Sequence, residues 1–177
     1  RRFRWTRLRP AVHAIKPATS LFGYLYWSLM IPPHKPKSPI LVLGYSGGTV
    51  PELIRTVWGR EIKAIGVDIL PQEDVYKEDI LKVEDAFGYV KDTDHSFDFI
   101  VVDIFVGSTV PEWVFEGEFL TNLNRILAPE GLIALNFLSN SKERDEKIKT
   151  ILEQYFKVDK WKVLDDNRVV FLKSKLL

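Results

Sequence analysis

The sequence predicts an α/β fold: a mostly parallel sheet with helices on both faces, closed by an antiparallel hairpin. Three observations carry that expectation. Short apolar runs alternate with segments whose apolar residues repeat at helical spacing. A glycine-rich turn, Gly44-Tyr45-Ser46-Gly47-Gly48, joins the first of those runs to a helical pattern. Near the C-terminus, two alternating runs flank Asp165-Asp166-Asn167, the signature of a hairpin. Parallel strands joined by helical crossovers wind right-handed, and their ligands sit at the carboxyl ends of the strands.

At 177 residues the chain can hold one domain with a sizeable core. The expected division is a basic arm and apolar helix over 1–38, the remnant of a truncated N-terminal region, and one domain over 39–177. The net charge of +1 provides no global field for nucleic acid. Cysteine is absent, which excludes disulfides and cysteine-ligated metal. His13, His34 and His95 lack ligand-like spacing, so no metal is expected. No apolar run approaches the roughly 20 residues of a membrane span. No signal peptide is read, so a cytoplasmic setting is expected. Abundant Lys and Glu with a single Met lean toward a thermophilic source.

Taken in order, residues 1–9 hold five arginines interleaved with Phe3, Trp5 and Leu8. Such an arm could grip RNA or DNA, but the remnant of an edge strand or hairpin is the favoured reading. Residues 20–31 are apolar nearly all round and read as a buried helix, which could also serve a homodimer. Tyr24, Tyr26 or Trp27 would line any substrate pocket there. Pro32, Pro33, Pro36 and Pro39 form a stiff connector. Strands are expected at 40–43, 62–67, 80–83, 97–102 and 132–137, with hairpin runs at 158–164 and 168–173. Helices are expected at 51–58, 86–91, 112–127 and 141–155, and 71–78 leaves room only for a short one. Thr49 and Glu52 have capping-box spacing, Gly59 is placed to end the helix they open, and Ala128-Pro129-Glu130-Gly131 reads as a turn.

The chemistry gathers on one rim. The first strand ends in the glycine turn, the second in Asp68, the third in Glu84-Asp85 and the fourth in Asp103. An acid 20 residues beyond Gly48 is placed to accept both hydroxyls of a ribose. Asp85 can take the amino group of an adenine, and Asp103 points at whatever lies beside the cofactor. Taken singly, each could instead be a helix cap or a solvated loop residue.

The run from Leu43 to Thr49 resembles the Gly-Gly-Gly-Asp-Gly-Gly-Thr loop of spermidine synthases. Val67-Asp68-Ile69-Leu70-Pro71 is similar to their Val-Glu-Ile-Asp-Pro. Glu84-Asp85-Ala86 and Phe97-Asp98-Phe99-Ile100-Val101-Val102-Asp103 are similar to their Gly-Asp-Ala and Tyr-Asp-Val-Ile-Ile-Val-Asp. Val114-Phe115-Glu116-Gly117-Glu118-Phe119 resembles their Leu-Phe-Thr-Arg-Glu-Phe. The resemblance spans about residues 39–137. It implies the Rossmann-like class I methyltransferase fold, with a seven-stranded sheet, and S-adenosylmethionine or its decarboxylated form as cofactor. Gly44, Gly47 and Gly48 would meet the cofactor through backbone, with Tyr45 and Ser46 in the same loop. Asp68 would bind ribose beside Ile69, and Asp85 would meet adenine beside Ala86. Asp103 would hold or deprotonate an acceptor amine as the catalytic residue, next to the cofactor. Tyr45 and Phe105 would flank the pocket, and Asn136 would orient substrate.

Two departures stand out. Val106 and Gly107 occupy the positions where that family has a second Asp and a Pro, and Ser46 replaces the loop acid that holds the cofactor's amine. Burying a diamine's two ammonium groups needs paired carboxylates, so the change argues against putrescine. The leading expectation is therefore a methyltransferase acting on a small-molecule acceptor. The alternatives are aminopropyl transfer from decarboxylated S-adenosylmethionine and a non-catalytic adenosyl-binding or structural module. A dinucleotide-dependent dehydrogenase is disfavoured, because Gly44 followed by Gly47-Gly48 is not the Gly-x-Gly-x-x-Gly spacing that pyrophosphate needs.

Overall fold

The computed structural model describes residues 26–72 and 75–175. The arginine-rich arm and residues 20–25 lie outside the described residues. The remainder of the expected apolar helix is a single 3-10 turn, Tyr26–Met30.

Seven strands form one sheet in the order β3-β2-β1-β4-β5-β7-β6. β1 is Ile40–Leu43, β2 Ala64–Asp68, β3 Ile80–Val83, β4 Phe97–Val102, β5 Leu127–Leu138, β6 Phe156–Leu164 and β7 Asn167–Ser174. The first five run parallel, and β7 pairs antiparallel with both β5 and β6. This is the Rossmann-like class I methyltransferase fold that the sequence predicts. β1 and β4, at the centre, are buried on both faces apart from Asp98, which explains their unbroken apolar runs.

Helices cover the two faces. On one side lie α2 (Ala86–Asp92), α3 (Gly117–Arg125) and α4 (Lys142–Tyr155), packed over Leu41, Leu43, Ile100, Val102, Ile133 and Leu135. On the other lie α1 (Thr49–Trp58) and the turn carrying Met30, packed over Ile40, Val42, Phe99, Val101 and Ala134. Alternate residues of each strand therefore feed opposite cores.

Four local expectations are corrected. The capping box does not form: the N-cap of α1 is Gly48 at φ 74°, with no side-chain cap. Glu52 instead pairs with Arg55 and Arg60. The helix expected over 112–127 is broken at Glu116, where ψ is 148°, into a 3-10 turn (Glu112–Phe115) and α3. Both pieces bury one apolar face, so spacing alone cannot see the break. The Ala128–Gly131 turn is absorbed into the start of β5 as an irregularity, with Leu127 opposite Phe97 and Leu132 opposite Phe99. Glu130 there has φ 61°. No helix occurs among the described residues of 71–78, which leaves Ile80 and Val83 of edge strand β3 more than half exposed.

No helix among the described residues is long and apolar enough to cross a membrane.

Candidate functional site

The glycine turn sits against the end of β4. Gly44 has φ 82°, and a Cβ there would lie 2.2 Å from the backbone carbonyl oxygen of Asp103. Only glycine fits that approach, so the turn and Asp103 are adjacent by construction. The Ser46 N–H donates to Asp68 Oδ2 at 2.7 Å, and the Leu70 N–H donates to Oδ1 at 3.0 Å. Asp68 therefore faces the turn, as its spacing predicts. The Gly47 N–H has no acceptor among the described residues, and the first turn of α1 adds further unpaired N–H groups. Backbone donors, an open loop and a carboxylate form a cradle suited to an adenosyl group.

Tyr45 departs from expectation. It does not flank an open pocket; its ring is only 3% exposed and lies beneath the turn. A Cβ added to Gly66 would come within 2.1 Å of that ring, so β2 is bare there to admit it. The Tyr45 hydroxyl donates to Asp79 Oδ2 at 2.8 Å. Asp79 also accepts from Arg55 Nη1 at 3.0 Å and from the Ala64 N–H at 2.7 Å. Arg55 in turn stacks over the Tyr76 ring at 4.1 Å. Burial and the neighbouring Asp79 carboxylate raise the Tyr45 hydroxyl above its ordinary pKa, so it remains a donor. This network, which no local motif announces, anchors the loop from below.

Asp103 lies at the end of β4, half-buried. Its Oδ2 accepts from the Tyr26 hydroxyl at 3.1 Å, and its Oδ1 accepts from Asn136 Nδ2 at 2.9 Å. Asn136 Nδ2 also donates to Asn167 Oδ1 at 3.2 Å, while the buried Asn136 Oδ1 has no donor. Burial pushes the Asp103 carboxyl up to about 6, against the hydrogen bonds from Asn136, Tyr26 and Trp27, which favour the charged form. Burial beside Asp103 holds Tyr26 well above the usual phenol range. Tyr26 is one of three aromatic residues that the sequence offers for a substrate pocket. Its partner is a matter of tertiary contact alone.

The remaining residues lie nearby with mixed roles. Asp85 Oδ2 accepts from the Gly88 N–H at 3.0 Å and caps α2, with Ala86 buried behind it. Asp85→Ala is expected to cost about 1 kcal/mol in a urea melt, the usual worth of an N-cap. Ile69 is exposed beside Asp68, and Phe105 packs partly buried against the larger core. A groove of about 700 Å³ between β3 and α2, lined by Ile65, Ile80, Tyr89 and His95 among others, includes neither the glycine turn nor Asp103. Among the described residues, no group of three or more His, Asp or Glu side chains could hold a metal.

Residues 70–164 match the family model described as spermine/spermidine synthase domain. A polyamine aminopropyltransferase from Vibrio vulnificus (strain CMCP6) is 27% identical over 146 residues, which are 74% of this chain and 48% of that protein. The chain thus spans about half the length of the curated relative it matches. Among solved structures, human methyltransferase-like protein 13 in complex with SAH superposes with TM-score 0.62 at 20% identity, covering 88% of this chain and 79% of that one. A probable spermidine synthase from Corynebacterium glutamicum ATCC 13032 also has TM-score 0.62, at 18% identity, covering 77% and 56%. At these identities the structural likenesses bear on fold alone. The family match and the curated relative favour aminopropyl transfer over the methyl transfer that the sequence puts first. The chain belongs to the spermine/spermidine synthase domain family.

Proposed function

We propose that this chain is a transferase that moves a group from an adenosyl sulfonium donor to an amine, and that the group is aminopropyl. The observation that carries this reading is the adjacency of two parts: the bare-backbone turn facing Asp68, and Asp103 abutting that turn at Gly44. The family match and the polyamine aminopropyltransferase relative support aminopropyl as the transferred group. The turn and Asp68 would hold the ribose and the donor's chain, with Ile69, Asp85 and Ala86 toward the adenine. When bound, the sulfonium supplies a carbon already activated for displacement, whose bond to sulfur breaks with its electron pair as nitrogen bonds to it. The chain's work is then alignment and proton handling. Asp103 accepts the proton that nitrogen sheds, and Tyr26 and Asn136 fix the orientation of its two oxygens. Transfer should rise with pH through about 6 as Asp103 ionises.

Methyl transfer from S-adenosylmethionine is the second reading. It is favoured by Ser46, which stands where an acid would hold the amine of an aminopropyl donor. Calorimetry with both donors, followed by mass spectrometry of an amine product, separates the two. An aminopropylated product from the decarboxylated donor is expected. A methylated product alone would replace this reading, and no binding of either donor would end both. Asp68→Ala is expected to weaken donor binding by about 1–3 kcal/mol, the scale of a lost hydrogen-bonded charge. Unchanged affinity would remove Asp68 from the site.

A further inference from the structure

We infer that Lys162 is a positioning residue for Asp103: it caps the turn Tyr26–Met30 and so holds the Tyr26 hydroxyl against the carboxylate. The consequence for catalysis rests on the transferase reading above, whereas the contact itself does not.

Lys162 lies on β6, opposite Val169 of β7. Its Nζ donates to the Leu29 carbonyl at 2.9 Å, across 133 residues of chain. The same nitrogen stands 4.4 Å from the centroid of the buried Phe171 ring. A carbonyl in the last residues of a helical turn and an aromatic face both favour a cation. In a 3-10 turn, side chains three residues apart eclipse, so Tyr26 and Leu29 lie one above the other. Rotation of the turn therefore moves the Leu29 carbonyl and the Tyr26 hydroxyl together. Met30 is fully buried and sets the depth of the turn, but apolar packing has no direction of its own. The bond from Lys162 supplies that direction. The connector beyond the turn is held separately, with Trp58 Nε1 donating to the Pro32 carbonyl at 3.1 Å.

Asp103 is where a rotation of the turn would register. Tyr26 and Trp27 reach it from the turn, and Asn136 reaches it from β5. Each of the three favours the charged carboxylate, against burial. Of these only Tyr26 titrates, and it stays protonated far above the range in which Asp103 ionises. Lys162 has Lys160 of the same strand as its titratable neighbour, and burial together with Lys160 lowers its proton affinity. As ammonium or as amine, Lys162 keeps an N–H for Leu29, so the bond lasts while Asp103 titrates.

The test follows the titration of the Asp103 carboxyl by carbon-detected NMR on the full chain alone. The wild-type midpoint is expected at about 6. Tyr26→Phe should raise it by about one pH unit, the effect of losing a hydrogen bond to a charged group. Lys162→Met keeps an unbranched side chain over Phe171 but has no N–H to give. It should raise the midpoint by about half as much or more, by the same loss. Lys162→Gln, whose side chain falls short of Leu29, should do likewise, and Lys162→Arg should restore the wild-type value. A lysine acting through its charge alone would move the midpoint equally with and without the Tyr26 hydroxyl. The deciding variant is therefore Tyr26→Phe/Lys162→Met, whose midpoint should match that of Tyr26→Phe. An unmoved midpoint in Lys162→Met or Lys162→Gln, with the fold retained by circular dichroism, would overturn the inference. Additive shifts in the double variant would overturn it too. Failure of the chain to bind any adenosyl donor would strike the transferase reading alone, because this titration needs no ligand.

Discussion

Asp103→Asn is expected to remove amine transfer and to make the folded chain more stable at neutral pH. The loss follows from the proposed chemistry. An amide cannot accept the proton, and the absence of a positioned base typically costs about 10²–10⁴-fold in rate. The gain in stability follows from burial. The folded-state carboxyl titrates at about 6, above the roughly 3.9 of an unfolded aspartate. Between those values the folded chain binds the extra proton, so stability falls as pH rises from about 4 to about 6. Above that the full penalty stands, at most about 3 kcal/mol for two pH units. The amide escapes it. Asn136 can turn its donorless Oδ1 toward the new NH₂, and the Tyr26 hydroxyl keeps a partner. Thermal melts should place the variant above the wild type at pH 7, by about 2–4 °C per kcal/mol. The difference should close below pH 4, where both side chains are neutral. A variant less stable than wild type at pH 7 would show that Asp103 is held as a structural charge. Retained transfer would remove it from the reaction.

The second large effect is expected from Arg55→Ala. The Arg55 side chain is 1% exposed and that of Asp79 fully buried, with 3.0 Å between them. Removing the cation leaves a buried carboxylate with only the Tyr45 hydroxyl and the Ala64 N–H. Breaking one side of such a pair costs about 3–5 kcal/mol. Arg55 also donates to the Ile62 carbonyl and stacks on Tyr76, so the loss falls on the approach to β2 as well. Chemical denaturation should show this drop. In Arg55→Ala/Asp79→Asn the loss should be smaller than the sum of the single variants, because no unpaired charge remains. Additive losses would mean that the two residues act independently. The pair also matters for function. Asp79 holds Tyr45, whose ring underlies Gly48 and Gly66, so the shape of the loop depends on a contact 34 residues along the chain.

The two halves of the candidate site differ in how far they can be read without coordinates. The glycine turn, Asp68 and the strand-end position of Asp103 are legible because each belongs to a run where strand, turn and helix follow within a few residues. The seven strands are legible for the same reason: apolar runs and hairpin spacing are local patterns. Asp85 illustrates the limit. Its place at a strand end is local information, but the Gly88 N–H bond that makes it a cap needs geometry. Tyr45 illustrates the opposite error. A tyrosine in a loop reads as a pocket wall, yet Gly66 opens a slot that draws it inward. The break at Glu116 is invisible because an apolar face continues through it.

What the amino-acid order alone determined is the periodic part: the strand and helix succession, the bare turn, and acids placed at the ends of successive parallel strands. These follow from side-chain spacing and backbone preferences, which act over a few residues. Only the tertiary structure decided the partners. Tyr26 reaches Asp103 across 77 residues, and Asn136 reaches it across 33. Arg55 finds Asp79 across 24 residues that include the whole of β2. Hydrogen bonds and ion pairs of that kind depend on which surfaces the sheet brings together. Burial then sets their strength and lifts the proton affinity of Asp103, a quantity that no local pattern encodes.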